Sequence, residues 1–485
     1  MPFRIAREAV SRRRLLVAST GVAFAAALAA CGAPTAPTAT PAPAAKPAEP
    51  AKPAAGATAA AGGATQAAGA TQPAAAAPGV KPAGEVRMWF PWEDRAEFML
   101  KEQPKAQPEL KLKFEVGEFD SNPKTMASLA AGNPPDLSYL GRWQTCDLAV
   151  RNGIFALDDR IKEARAWKWD DVWSRLQKDS MSWGKKWIVP YSTDTRALYY
   201  SKPLMKEAGL DPEKPPKTWP ELLDQAAKAT KKDGSGKIDI IGYTPTFGNP
   251  PTFLTFYSML WMLGSDVADE ARAKVTLQEK GTQAMTLVKE LMDKQGGYEQ
   301  AAAFTKALTL GQGLDAFSAG KVAFAMHTNG VLANYDKYAP NLQYGLASGV
   351  TYPPSSEPFN YDGGGGWFYF KKAKNPDGAW ALTEFLLGKD FYLTWFDQLS
   401  FLPTLKPVAE EWAKKDKRRE VFVSTANTVH WIPITVGAIE AINHISKMWD
   451  DILFGKAPMD QALKTAADNI QQILDKHNSY PPPQG

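Results

Sequence analysis

Apolar and polar positions alternate with period two in GEVRMWF near residue 84 and in LKLKFEV near residue 110, and PPDLSYLG near residue 134 is a third short apolar run; each is predicted to be a strand. Between the second and third, Asn122-Pro123 opens a helix through MASLAA that Gly132 closes, with the cap first, proline in the first turn and glycine after the end. Strand, helix, strand in this rhythm predicts a parallel α/β sheet. Further along, Thr218 and Glu221 form a capping box ahead of LLDQAAKAT, and Asn375-Pro376 begins a helix that Gly388 ends. GAIEAINHISKMWDDILFG and MDQALKTAADNIQQILDK show the three-and-four spacing of helices with one apolar face. No period of twenty to fifty residues recurs, which excludes a solenoid. Nearly four hundred residues from 85 to 480 exceed one hydrophobic core, so two lobes are expected.

The first 84 residues follow another pattern. MPFRIAREAVSRRR carries five arginines and one glutamate, then LLVASTGVAFAAALAA runs small and apolar up to Cys31. That layout is a secretory signal, and its apolar run is too short for a permanent span. LAAC resembles a bacterial lipobox, which implies cleavage before Cys31, lipidation of its thiol and exposure at the outer face of the cytoplasmic membrane. SRRRLL also resembles the twin-arginine export motif, with Leu15 where Phe is usual. Residues 32–84 are almost wholly Ala, Pro, Thr, Gly and Gln, the composition of a disordered tether. Five of the 56 basic residues and one of the 52 acidic ones lie in the first thirty, so the net charge of +4 belongs to the export signal. The mature chain is neutral, and nothing in it argues for a nucleic-acid surface.

Catalytic chemistry is hard to assemble from this sequence. The four histidines, His327, His430, His444 and His477, lack metal-ligand spacing, and after Cys31 the only cysteine is Cys146, expected to be a small buried residue. No G-x-S-x-G elbow occurs, and the adjacent acids at Asp158-Asp159, Asp170-Asp171 and Asp450-Asp451 point apart on either a helix or a strand. The expectation is no enzyme, no metal and no cofactor, although two carboxylates of a carbohydrate-active enzyme could lie far apart in the chain. Four glycines at 363–366 lack the Lys-Ser/Thr of a phosphate loop and lead into WFYFKK, a strand rather than a helix N-terminus.

Several stretches, taken in order, resemble the extracellular solute-binding proteins of bacterial ABC importers, in the large, maltose-binding-protein-like sugar branch. They are ASLAAGNPPDLSYL; WIVPYSTDTRALYYSKPLMKEAGLDPEKPPKTWPELLDQAAKAT, the most specific; DAFSAGKVAFAMHTNG; GGGGWFYFKKAKNPDGAWALTEFLL; and LFGKAPMDQALKTAADNI. The resemblance implies an α/β, periplasmic-binding-protein-like fold of two lobes joined by several chain crossings, with a ligand cleft between them. It implies lobe 1 at 85–193 plus 364–403 and lobe 2 at 194–363 plus 404–480. It further implies a monomer that hands a small solute to membrane permease subunits. The glycines then sit where the chain crosses back.

A carbohydrate has apolar C–H faces and a hydroxyl rim, so its site needs flat aromatic plates edged by carboxylate, amide and guanidinium groups. All sixteen tryptophans lie after residue 88. By position in the resemblance, the expected ligand contacts are Trp92, Glu93 and Asp94 after the first strand, and Arg142 and Trp143 after the third. Tyr191 and Asp194 at the first crossing, His327 and Asn329 after AFAM, Gly365 and Trp367 at the return, and Trp431 complete the set. Arg142 stands where carboxylates are commoner in sugar binders, which raises an anionic or phosphorylated ligand as the alternative; a polyol, polyamine or peptide remains open beside it.

Overall fold

The computed structural model describes residues 82–119, 122–243, 252–308, 310, 314–355 and 357–484, all within one contact unit, Gly69–Gly485. The expected export signal, Cys31 and the tether through residue 81 lie outside the described residues.

Two main sheets are built among the described residues from β1 (Gly84–Phe90), β2 (Leu110–Val116), β3 (Leu137–Gly141), β4 (Val189–Thr193), β5 (Arg196–Ser201), β6 (Lys231–Lys232), β7 (Ile238–Tyr243), β8 (Val322–Thr328), β9 (Tyr344–Ala347), β10 (Gly365–Tyr369) and β11 (Leu402–Pro403). The first sheet runs in the order β11-β4-β10-β3-β1-β2, the second β9-β5-β8-β7-β6. Period-two alternation is realised in β1. Val86, Met88 and Phe90 enter the core, while Trp89 turns to the other face beside the cations of Arg87 and Lys124 and donates its Nε1–H to Glu115 at 2.9 Å.

The expected parallel sheet is found only in part. β2, β1 and β3 are parallel, but β10 is antiparallel to both β3 and β4, and β11 to β4. The reason lies in the connections: helices return the chain between β1, β2 and β3, whereas β4 and β10 exchange chain with the second sheet directly, without a crossover helix. The helix Pro123–Ala130 forms as expected, but Asn122 makes no side-chain cap bond. Glu118 takes its place, its carboxylate accepting the N–H groups of Lys124 and Thr125, both at 3.1 Å. The capping box at Thr218 and Glu221 is present, and Asn375 caps the helix Pro376–Leu386 by accepting from Gly378.

Each sheet has its own core. Val86, Tyr139, Val189, Trp367 and Trp395 pack under the first, joined by Val408, Ala409 and Trp412 of the helix Lys406–Lys414. Under the second lie Trp219, Met259, Met285, Leu463 and Trp449, from helices that include Ala438–Leu453 and Met459–Ser479. Cys146 is buried with no cysteine partner among the described residues, its Sγ beside Ser182 and the Ile434 carbonyl.

Candidate functional site

The C-terminal ends of strands from both sheets face one cavity of about 1030 Å³. This is where open α/β sheets expose loop side chains and backbone N–H groups, and so where such folds take ligands. Trp92 arrives after β1 and Phe119 after β2, while Trp143 stands in the turn after β3. Ser192, Thr193 and Asp194 follow from the end of β4, and Arg196 from the start of β5. His327 and Asn329 come from the end of β8, with Tyr335 one helical turn later. Trp431, Ile439 and Asn443 close the far side.

Aromatic rings dominate the walls. Trp143 and Trp431 lie 5.4 Å apart at 34°, and Phe119 meets Trp143 edge-on at 5.5 Å. Trp143 reaches this position by folding back over Gly141, where a Cβ would stand 2.4 Å from the indole, so β3 must end in glycine. Trp92 and Phe401 form a second aromatic corner, with Arg95 against both rings.

Of the residues expected from sequence, Trp92, Trp143, Asp194, His327, Asn329 and Trp431 line this cavity. Six do not. Glu93 and Asp94 are exposed in the first turn of the helix Glu93–Ala106, where they complement its dipole. Tyr191 points into the first core and stacks on Tyr392 at 5.4 Å. Gly365 is inside β10, where a Cβ would stand 2.4 Å from the Leu140 carbonyl, and the glycines that border the cavity are Gly363 and Gly364. Trp367 is wholly buried in the first core between Tyr139 and Tyr191, because β10 starts two residues before it and the pleat turns it inward. Replacing Trp367 by alanine is therefore expected to lower stability by about 3–5 kcal/mol in a urea titration, a cavity effect with no direct loss of a cleft contact.

Arg142 is also corrected. Its guanidinium is fully buried, 3.0 Å from Asp362, and lies against the Trp431 ring at 5.4 Å from behind. Burial opposes its charge, but Asp362 and Asp179 outweigh that and hold its pKa above the ordinary value. The opposite result holds for Asp362: burial pushes its carboxyl up to about 7, and Arg142 offsets this only in part.

Sequence reasoning missed the cleft's other charged groups, Arg95, Arg196 and Asp315. Arg196 contacts Asp194 and lies 3.9 Å from the Tyr361 ring centroid. Burial disfavours the Arg196 cation, yet Asp194 and Tyr361 keep its pKa raised. Asp315 accepts the Tyr335 hydroxyl at 2.7 Å and stands 3.3 Å from His327 Nε2. Only Arg95 carried a local signal: it is three residues past Trp92, one helical turn along the same face. No group of three or more His, Cys, Asp or Glu placed to hold a metal occurs among the described residues, and no described helix is long and apolar enough to cross a membrane.

Comparison with known proteins agrees with this geometry. Residues 99–420 match the family model described as bacterial extracellular solute-binding protein. A relative from Brucella abortus (strain 2308) is 27% identical over 407 residues, covering 81% of this chain and 94% of the relative. The sn-glycerol-3-phosphate-binding periplasmic protein UgpB of Escherichia coli (strain K12) is 24% identical over 379 residues, 74% of this chain and 84% of the relative. Among solved structures, CpMnBP1 with mannotriose bound superposes with a TM-score of 0.70 at 23% identity, over 80% of this chain and 99% of the other, which shows a shared fold.

Proposed function

The chain belongs to the family of bacterial extracellular solute-binding proteins, and on that premise we propose that it is the lipid-anchored receptor of an ABC importer, capturing a carbohydrate for delivery to a membrane permease. The observation that carries this reading is the cleft itself. Three indoles, Trp92, Trp143 and Trp431, supply plates for the C–H faces of sugar rings, and Asp194, Arg196, Asp315 and Asn329 supply a polar edge. Relatives that take mannotriose or glycerol phosphate support a hydroxylated ligand.

The lobes in this reading are 85–193 with 364–403, and 194–363 with 404–480, with one revision. The packing of the helix Lys406–Lys414 into the first core supports a last crossing after it. Ligand touching both sides favours whichever arrangement lets both sides touch it, and binding therefore shifts the population toward closure. A micromolar dissociation constant, about −8 kcal/mol, suffices for capture and still permits release. Anchoring through Cys31 is expected to keep this exchange at the membrane; a Cys31→Ser chain that still partitions with membranes would remove the anchor from the proposal.

A thermal-shift screen with mono- to trisaccharides is the direct test, because a ligand that binds only the native state raises the melting temperature with concentration. Trp431→Ala is expected to weaken carbohydrate binding about 10- to 100-fold through lost stacking and apolar burial. Retention of wild-type affinity would take Trp431 out of the site. A screen in which no carbohydrate stabilises the protein, or turnover of a glycan at catalytic protein concentration, would overturn the receptor reading.

A further inference from the structure

Among the described charged side chains of the cleft, all but one are already engaged by protein. Asp194 and Arg196 are in contact, and Asp315 is held by Tyr335 and His327. Arg95 differs. Its guanidinium lines the cavity 4.8 Å from the Trp92 ring centroid and 5.1 Å from that of Phe401, and among the described residues no carboxylate oxygen comes within ion-pair distance of it. Asp94 and Asp194 act on it only through space, and burial holds its pKa below the ordinary value, so it sits partly desolvated without a counter-ion in contact. The residue is nevertheless fixed in place: its carbonyl accepts the Trp395 indole N–H at 3.0 Å, and two rings hold the side chain.

A desolvated guanidinium keeps five N–H donors in a planar fork matched to the two oxygens of a carboxylate or phosphate. We propose that the captured solute is an anionic carbohydrate, whose phosphate ester or carboxylate docks on Arg95 while its sugar ring lies against the neighbouring indoles. This rests on the receptor reading above and adds the charge. It also reassigns the signal that the sequence placed on Arg142, whose cation is consumed internally by Asp362.

The test is isothermal titration of the full-length protein at low ionic strength with glucose, glucose 6-phosphate and glucuronate, and with mannotriose as a neutral oligosaccharide. One or both charged sugars are expected to bind about 10-fold or more tighter than glucose, the order of a charge-assisted hydrogen-bonded pair, and to weaken as salt is added. The phosphate and uronate arms tell which oxyanion the fork prefers. Arg95→Gln is expected to erase the charged-over-neutral preference, and Arg95→Lys to keep part of it. If Arg95→Gln does not fold, the wild-type comparison and Arg95→Lys still decide. Neutral sugars binding as tightly as charged ones, or Arg95→Gln weakening both equally, overturns the anion site and leaves the carbohydrate receptor standing. Failure of every sugar, charged and neutral, overturns both.

Discussion

Asp362→Ala is expected to lower the free energy of unfolding near pH 8 by about 3–5 kcal/mol, the size seen when one member of a buried ion pair is deleted. Arg142 and Asp362 are both almost inaccessible to solvent, and their side chains meet at 3.0 Å. Removing the carboxylate strands a guanidinium whose Nε, Nη1 and Nη2 all lack hydrogen-bond partners and whose close contact is the ion pair with Asp362. Asp179, itself paired with Arg175 at 3.3 Å, is the next acidic group acting on Arg142 and cannot replace a partner in contact. Loss of both charges at once is a different case: Arg142→Met with Asp362→Leu is expected to recover most of the deficit, because no uncompensated charge remains. A single-variant loss below about 1 kcal/mol in urea titrations would show that the pair does not hold this region.

The same pair sets a pH dependence. Burial raises the Asp362 carboxyl to about 7, while in the unfolded chain it returns to the ordinary carboxylate range near 4. Between those values the native state binds more protons than the unfolded one, so this group's contribution makes stability fall as pH rises from about 4 to about 7 and level off above. Asp362→Asn is expected to remove that component, seen as a stability difference from wild type that changes between about pH 5 and about pH 8. The pair also bears on the cleft, since the Asp362 N–H donates to the His430 carbonyl at 3.0 Å and Arg142 backs the Trp431 ring. Disturbing it is expected to loosen that wall.

What could be read from the sequence follows the range of the forces involved. β1, the Thr218 box, the Asn375 cap and the two C-terminal helices were legible because period and capping are local. Trp92 and Trp143 were legible as wall residues because both follow predictable strand ends. Register was not: reading the glycines as a loop through Gly366 put Trp367 at the mouth, whereas a strand that starts at Gly365 buries it. Nor was charge pairing, since Asp362 is remote in sequence from Arg142 and nothing near either announces the contact. Arg95 was overlooked for the reverse reason, its exposed neighbours Glu93 and Asp94 being the obvious polar residues of that turn.

Gly364→Ala is expected to cost about 3 kcal/mol or more, and to reduce ligand binding with it. At φ +86° Gly364 occupies backbone space that a side chain resists, and a Cβ there would stand 2.2 Å from the Ser192 carbonyl and 2.8 Å from the Thr193 Cα. Both obstacles are backbone in β4, so no rotamer relieves them. Either β10 leaves its pairing with β4, which already bulges between Gly365 and Gly366, or the end of β4 shifts and takes Ser192 and Asp194 with it. Gly363→Ala provides the contrast. Its Cβ would meet the Asp194 carboxylate at 2.3 Å, a side chain that can rotate away at the expense of its contact with Arg196. The first variant should therefore lose stability and affinity together, and the second mainly affinity. Equal stability of Gly364→Ala and wild type in urea would mean that the return crossing is not held against β4. The close packing of Gly363–Gly366 would then need another cause.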